Sequence, residues 1–429
     1  LDQLQNAALS AVDPQQIVKS SLSLKGDSLL IFDTAFPLNP SNKIIVIGAG
    51  KAGIPMARGV EQVLGDRITD GLVAVPMLVE NSINRIEFIV GGHPLPDEGS
   101  IEAGNKLNAL LENTHHKDLV IVLISGGGSA LLEQPEEGVT LSDLQVMNDL
   151  LIRNGVPIQE INMVRRQLSR IKGGGLAKMA APAMTIALIL SDVVGDSLND
   201  VASGPTIQDQ ASALEALNIL DKYHLTGMVP EEIISVLKLN LERDNHLLKE
   251  FPNSVWNFLI GNNKIAAEAA KRAALDLGFQ TYVVTTIMRG EAREVGRVVA
   301  ALVKCIRDAA PVALKPICLI LGGETTVTVR GNGVGGRNQE LALAASIELE
   351  GIDKLAMMTL ATDGVDGPTS SAGALVTGET LRRARKKGLH AQKFLENNDS
   401  HVFFTQLGDT ISTGPTGTNV NDLVFGLVY

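Results

Sequence analysis

Short apolar runs rich in β-branched residues recur along the chain, each breaking into glycine or a small polar turn. In the first half they occupy 43–47, 72–75, 86–90, 119–124 and 184–190; in the second, 255–260, 281–285, 316–321 and 355–360. Runs that are apolar on both faces read as fully buried parallel strands. Helical periodicity fills the gaps, over about 98–111, 265–277, 291–307 and 338–349. Strand and helix in alternation predict an α/β fold with mostly parallel sheets in both halves. Residues 1–40 read as helix and loop. Residues 208–254 are helical, polar and charged, without a strand signal, which marks the passage to a second domain opening at Val255; the expected division is 1–245 and 246–429.

Composition narrows the chemistry. A chain of 429 residues with 45% hydrophobic residues has material for two cores. Its formal net charge of -11 repels nucleic acid and anionic membrane, so an anionic substrate must meet a local positive cluster. Aromatic residues make up only 3%, too few for stacking platforms along a nucleic-acid strand, and a small polar substrate fits better. Cys305 and Cys318 lack metal-knuckle spacing and read as buried free thiols, favouring a reducing, cytoplasmic setting. No run approaches the length of a bilayer span.

Candidate chemistry collects where strands end in glycine. Run 119–124 feeds Ser125-Gly126-Gly127-Gly128-Ser129, whose glycines admit positive φ and let an anion reach backbone amides, with Ser129 placed to cap a short helix. Run 43–47 breaks into Gly48-Ala49-Gly50-Lys51-Ala52-Gly53, the dinucleotide fingerprint in strand-to-helix context. The next strand, however, ends in Pro76-Met77 with no carboxylate for a ribose hydroxyl, and Lys51 inside the fingerprint suits a phosphoryl oxygen. His93, between Gly92 and Pro94, is open to a role as base, but a histidine in such a loop is more often a turn residue, and it is left unassigned. Arg165, Arg166, Arg170 and Lys172 precede a second glycine triplet starting at Gly173, which makes an anion site or a solvated basic helix. Asp192 follows run 184–190, where open α/β sheets place their ligands, and is the first candidate for metal or base work. In the second half, alternation over 326–329 suggests a hairpin strand, followed by a mobile glycine loop from which Arg337 opens a helix and can grip an anion in bidentate fashion. Asp363 and Asp366 repeat the strand-end arrangement of Asp192, and polar turns fill 413–422.

Glycine-lined cradles, cations in glycine turns and strand-end aspartates are the inventory of phosphoryl transfer, although Walker and protein-kinase signatures are absent. The motifs at 125–132, 171–176, 190–196, 335–340, 362–368 and 416–419 resemble, in order, those of the glycerate 2-kinase family, whose C-terminal part is the MOFRL domain. The resemblance implies a Rossmann-like N-terminal domain, a second α/β domain and an active site in the cleft between them. It implies phosphorylation of D-glycerate to 2-phosphoglycerate with ATP and Mg²⁺, with Lys51 and Arg337 catalytic and Asp192 in the active-site region. Ser125, Gly126, Gly127, Gly128, Ser129, Lys172 and Gly173 are then the nucleotide or phosphate binders, and Asp192 and Asp363 the candidate metal ligands. Partners would be the substrate and nucleotide, with no nucleic acid or membrane and room for a homo-oligomer. Members of the family have also been labelled hydroxypyruvate reductases, so an NAD(P)-dependent reductase is the competing reading, and a non-catalytic binder of small phosphorylated acids a third.

Overall fold

The computed structural model describes residues 1–39, 41–78, 83–244, 251–309 and 316–429. The chain divides into two compact units, one of residues 14–191 and 196–260, the other of 1–13, 192–195 and 261–429. The expected division at 245/246 lies outside the described residues.

After helices Asp2–Ala11 and Pro14–Ser21, the first unit begins with an antiparallel meander of β1 (Leu22–Lys25), β2 (Ser28–Ile31) and β3 (Thr34–Pro37). The main sheet comprises β4 (Ile44–Ala49), β5 (Asp70–Val75), β6 (Glu87–Val90), β7 (Leu119–Ile124), β8 (Met184–Leu190) and β9 (Val255–Gly261). Its spatial order is β6-β5-β4-β7-β8-β9, the doubly wound arrangement in which the chain first winds one way from β4 and then returns to wind the other. The pairs β6–β5, β5–β4, β4–β7 and β7–β8 are all parallel. β4 and β7 are buried along their whole length, which is why their sequences are continuously apolar. β9 corrects the sequence reading: it is the last strand of this sheet and does not open the second domain. Between and beyond these strands, helices Leu141–Arg153, Ile158–Arg166, Ala213–Lys222 and Glu231–Asp244 share a separate apolar core around Met147, Leu151, Val164 and Leu220.

The second unit is built on β10 (Gln280–Met288), β11 (Ile317–Gly323), β12 (Leu355–Ala361), β13 (Gly373–Thr377), β14 (Thr410–Ile411) and β15 (Asp422–Val428), in the order β10-β11-β15-β12-β13-β14. A mostly parallel sheet is not what forms. β10–β11 is parallel, but β15 enters the middle antiparallel to both neighbours, and β12–β13 and β13–β14 are antiparallel too. Helices Ala292–Ala309 and Arg337–Glu348 cover this sheet over a core that includes Val299, Val303, Leu341 and Phe404. The expected strand at 326–329 is absent; Thr326 makes a single bridge to Glu291. Both cysteines are free, but only Cys318 is buried, its thiol pushed up to about 12 by burial, while Cys305 is exposed on its helix. No helix among the described residues is long and apolar enough to cross a membrane.

Candidate active site

In the first unit the strand order reverses between β4 and β7, and the turns leaving these two strands meet there. Lys51 N donates to Gly126 O at 2.9 Å, and Ala52 N donates to Ser125 Oγ at 3.1 Å. Gly50 is required by this docking: its φ is +144°, and a Cβ on it would fall on Ser125 Oγ. Ser125 is thus buried and committed to bracing the other turn, in the space that a dinucleotide fold leaves for pyrophosphate. Gly127, in the left-handed region with φ +83°, begins the short helix Gly128–Leu131 and stays partly exposed. Ser129 Oγ shares a 2.8 Å hydrogen bond with Ser203 Oγ. Lys51, anchored through its backbone, sends an exposed side chain past Gly127. That bare glycine beside an exposed ammonium, at the switch point of a parallel sheet, is where such folds take their ligands.

The second glycine triplet is differently disposed. Lys172 is buried in an ion pair with Glu133, whose other oxygen accepts from Ser169 Oγ at 2.6 Å. Burial is the main influence on Lys172 and lowers its pKa, with Glu133 opposing. Arg165, half-buried beside it, donates from Nε to Asn148 Oδ1 at 2.7 Å. Gly173 N and Gly174 N donate to Ser203 O and Gly204 O at 3.0 and 2.8 Å, so these amides already have partners within the chain. Arg166 pairs with Asp209 at 3.1 Å, on the wall of an open cleft of about 510 Å³ that Arg170 and Arg243 also line.

In the second unit the chemistry gathers at one end of the central strands. β15 is antiparallel to β11 and β12, and its first residue, Asp422, lies opposite Gly323 on one side and Ala361 on the other. Arg337, the first residue of its helix, grips Asp422 in bidentate fashion, Nε to Oδ2 at 2.6 Å and Nη2 to Oδ1 at 3.1 Å, while Nη1 donates to Glu324 Oε1 at 2.6 Å. Burial pushes the Asp422 carboxyl up to about 6 against the pull of Arg337. On Arg337 burial works downward, but Asp422 and then Glu324 outweigh it and raise its pKa. Asp366 receives the helix start: Asn338 N and Gln339 N donate to its two oxygens at 2.9 and 2.8 Å. Burial raises the pKa of Asp366 against those bonds.

The glycine loop before Arg337 is stitched down, which corrects the expectation of a mobile segment. Arg330 N and Gly331 N donate to Asn398 Oδ1 at 2.7 and 3.1 Å, Asn332 N to Asn397 Oδ1 at 3.1 Å, and Val334 N to Asp399 Oδ1 at 2.9 Å. Cβ atoms on Gly331, Gly333 or Gly335 would collide with residues 397–400, so these glycines serve close approach.

Asp192 follows β8, half-buried, and the segment 192–195 belongs to the second unit, where Arg289 Nη2 donates to Val194 O at 2.8 Å. Asp363 turns one carboxylate oxygen to Val365 N at 3.0 Å. The sequence reading missed Glu324 and Asp422, the two carboxylates on Arg337; a buried aspartate opening an apolar C-terminal run was the available signal.

Fold and site define a two-unit α/β protein carrying an exposed lysine at a parallel-sheet switch point and an arginine clamped by two carboxylates. Residues 1–238 match the family model described as "Domain of unknown function (DUF4147)", and residues 317–422 match the MOFRL family. The chain is 40% identical to a glycerate 2-kinase of Pyrococcus horikoshii over 98% of this chain and 95% of that one. It is 37% identical to a putative hydroxypyruvate reductase of Agrobacterium vitis, over 97% of this chain and 91% of the relative. The crystal structure of a glycerate kinase from Thermotoga maritima superimposes with a TM-score of 0.88 at 38% identity, covering 99% of this chain and 98% of that one. The chain belongs to the glycerate 2-kinase family.

Proposed function

We propose that this protein is a glycerate 2-kinase, transferring the γ-phosphoryl group of ATP to the 2-hydroxyl of D-glycerate. The observation that carries the reading is the exposed ammonium of Lys51 beside the bare backbone of Gly127 at the switch point of the sheet. Phosphoryl transfer asks a protein mainly for positioning and for charge on the transferring oxygens. Lys51 supplies a compact point charge. Arg337 supplies a second: three of its N–H groups are held by Asp422 and Glu324, which fix the guanidinium plane and leave the remaining donors of its five to meet an anion. Lys51 acts on the transferring phosphoryl group, with Gly126, Gly127 and Gly128 shaping its bed. Ser125 and Lys172, both buried and partnered, support the walls.

Mg²⁺ bound with a nucleotide takes one or two carboxylates besides phosphate and water. Asp363 fits that demand, since its second carboxylate oxygen has no partner among the described residues; Asp192, at the end of β8, is the other ligand proposed. When bound, the ion neutralises phosphate charge.

A reductase is the second reading, kept because of the Agrobacterium vitis relative's name. Against it stands the end of β5, where Val75 leads into Pro76 with no carboxylate for a ribose. Parallel incubations decide: D-glycerate with MgATP, following ADP, and hydroxypyruvate with NADH or NADPH, following absorbance. ADP release without cofactor oxidation is expected, and the converse overturns the kinase. Phosphorus NMR of the product should show 2-phosphoglycerate; a 3-phosphoglycerate signal would remove the regiochemistry and leave the kinase class.

A further inference from the structure

The turns after β4, β6 and β7 converge on one point, and the turn after β6 brings a residue the mechanism above does not use. A Cβ placed on Gly127 would stand 3.0 Å from His93 Cδ2, 3.2 Å from His93 Nε2 and 3.3 Å from Lys51 Cγ. The imidazole edge and the lysine stem therefore flank the same stretch of bare backbone. The loop bearing His93 is fixed on both sides of the histidine. Gly91 N donates to Val75 O at 3.0 Å, and Gly92 N donates to Asp97 Oδ1 at 2.8 Å and Ser100 Oγ at 2.9 Å. Asp97 and Ser100 also form the capping box of helix Glu98–Leu111. These bonds account for the backbone of His93, not for the place of its ring, which is exposed and has no hydrogen-bond partner among the described residues.

Burial first, and charge second, set the state of that ring. Lys51 faces it from the turn after β4, Asp97 lies on its own loop with Oδ1 occupied by Gly92 and Ser100, and the turn 125–129 presents no ionisable side chain. Partial burial, then the charge of Lys51, lowers the imidazole below its ordinary pKa of 6.5. At neutral pH the ring is neutral and has a lone pair for a proton.

We propose that His93 is the catalytic base of the transfer, an assignment that rests on the kinase reading. It takes the proton of the glycerate 2-hydroxyl as that oxygen bonds to the γ-phosphorus. The bond from the γ-phosphorus to the β,γ-bridging oxygen breaks, its electron pair leaves on ADP, and the proton on His93 passes to solvent. Lys51 then serves twice, stabilising the phosphoryl oxygens and returning the imidazole to its neutral form.

The test is the pH dependence of kcat/KM and kcat for D-glycerate at saturating MgATP, in the wild type and in His93→Gln, with the ring titration followed by NMR. The wild type should lose kcat/KM on acidification with a midpoint below 6.5 that coincides with the His93 titration. His93→Gln should lose that limb and ~10²–10⁴-fold in kcat, with the KM for ATP and the melting temperature unchanged. A variant that keeps kcat and raises the KM for glycerate makes His93 a substrate-binding group and overturns the proposal. So does a wild-type profile flat between about pH 5 and about pH 7, a result that needs no variant. A wild type releasing no ADP with D-glycerate overturns the kinase reading and this assignment together; an active wild type with an equally active His93→Gln overturns the assignment alone.

Discussion

Cations of the same formal charge play opposite parts in this chain, and their surroundings set the difference. Lys51 is exposed on a turn whose backbone does the anchoring. Lys51→Ala should therefore leave the melting temperature nearly unchanged while kcat falls ~10³-fold, because phosphoryl charge is largest in the transition state; steady-state kinetics beside a thermal melt check both halves. Lys172 is buried against Glu133, and Lys172→Ala leaves that carboxylate without its ion-pair partner in the interior. The expected cost is roughly 3–5 kcal/mol of stability, read by denaturant unfolding. Asp422 gives a pH signature. Its native pKa of about 6 exceeds the ordinary 3.8, so between these values the folded chain holds a proton that the unfolded chain has lost. Its stabilising contribution is full below about 3.8 and is lost as pH rises through about 6. Melts from about pH 4 to about pH 7 should show the wild type losing ground steadily against Asp422→Asn; a constant difference would contradict the assignment.

At the scale of elements, the candidate site depends on pairs of turns made to touch. The turn after β4 sits on the turn after β7 because Gly50 has no side chain where Ser125 Oγ lies. Gly50→Ala should cost roughly 2–4 kcal/mol through overpacking and an unfavourable φ. Ser125→Gly should relieve part of that cost in the double variant, a coupling that denaturant unfolding of the full cycle measures. The loop 331–336 follows the same rule against residues 397–400, with its glycines permitting contact. In sequence such a glycine run looks like slack, and close approach and slack share one composition. What separates them is the partner surface, here more than sixty residues along the chain, where it leaves no periodic mark.

The whole molecule is not two consecutive halves. Helix Asp2–Ala11 belongs to the unit formed by the C-terminal part of the chain and packs on helix Asn263–Asp276, burying Leu4 and Ala8 almost completely. A fragment of residues 261–429 should accordingly melt below the same fragment covered by a peptide of residues 1–13, a comparison made by calorimetry. By itself the sequence determined the parallel sheet of the first unit, since strands buried on both faces must be continuously apolar, and it singled out Lys51 and Arg337 as cations set in glycine turns. The tertiary structure alone decided which polar groups are already spent. Glu133 meets Lys172, Asp422 meets Arg337 and Ser203 O meets Gly173 N through contacts that span tens of residues. It also decided that β15 enters the second sheet antiparallel and that His93 stands beside Lys51. Periodicity reports which face of an element is buried; it carries no information about the element on the other side.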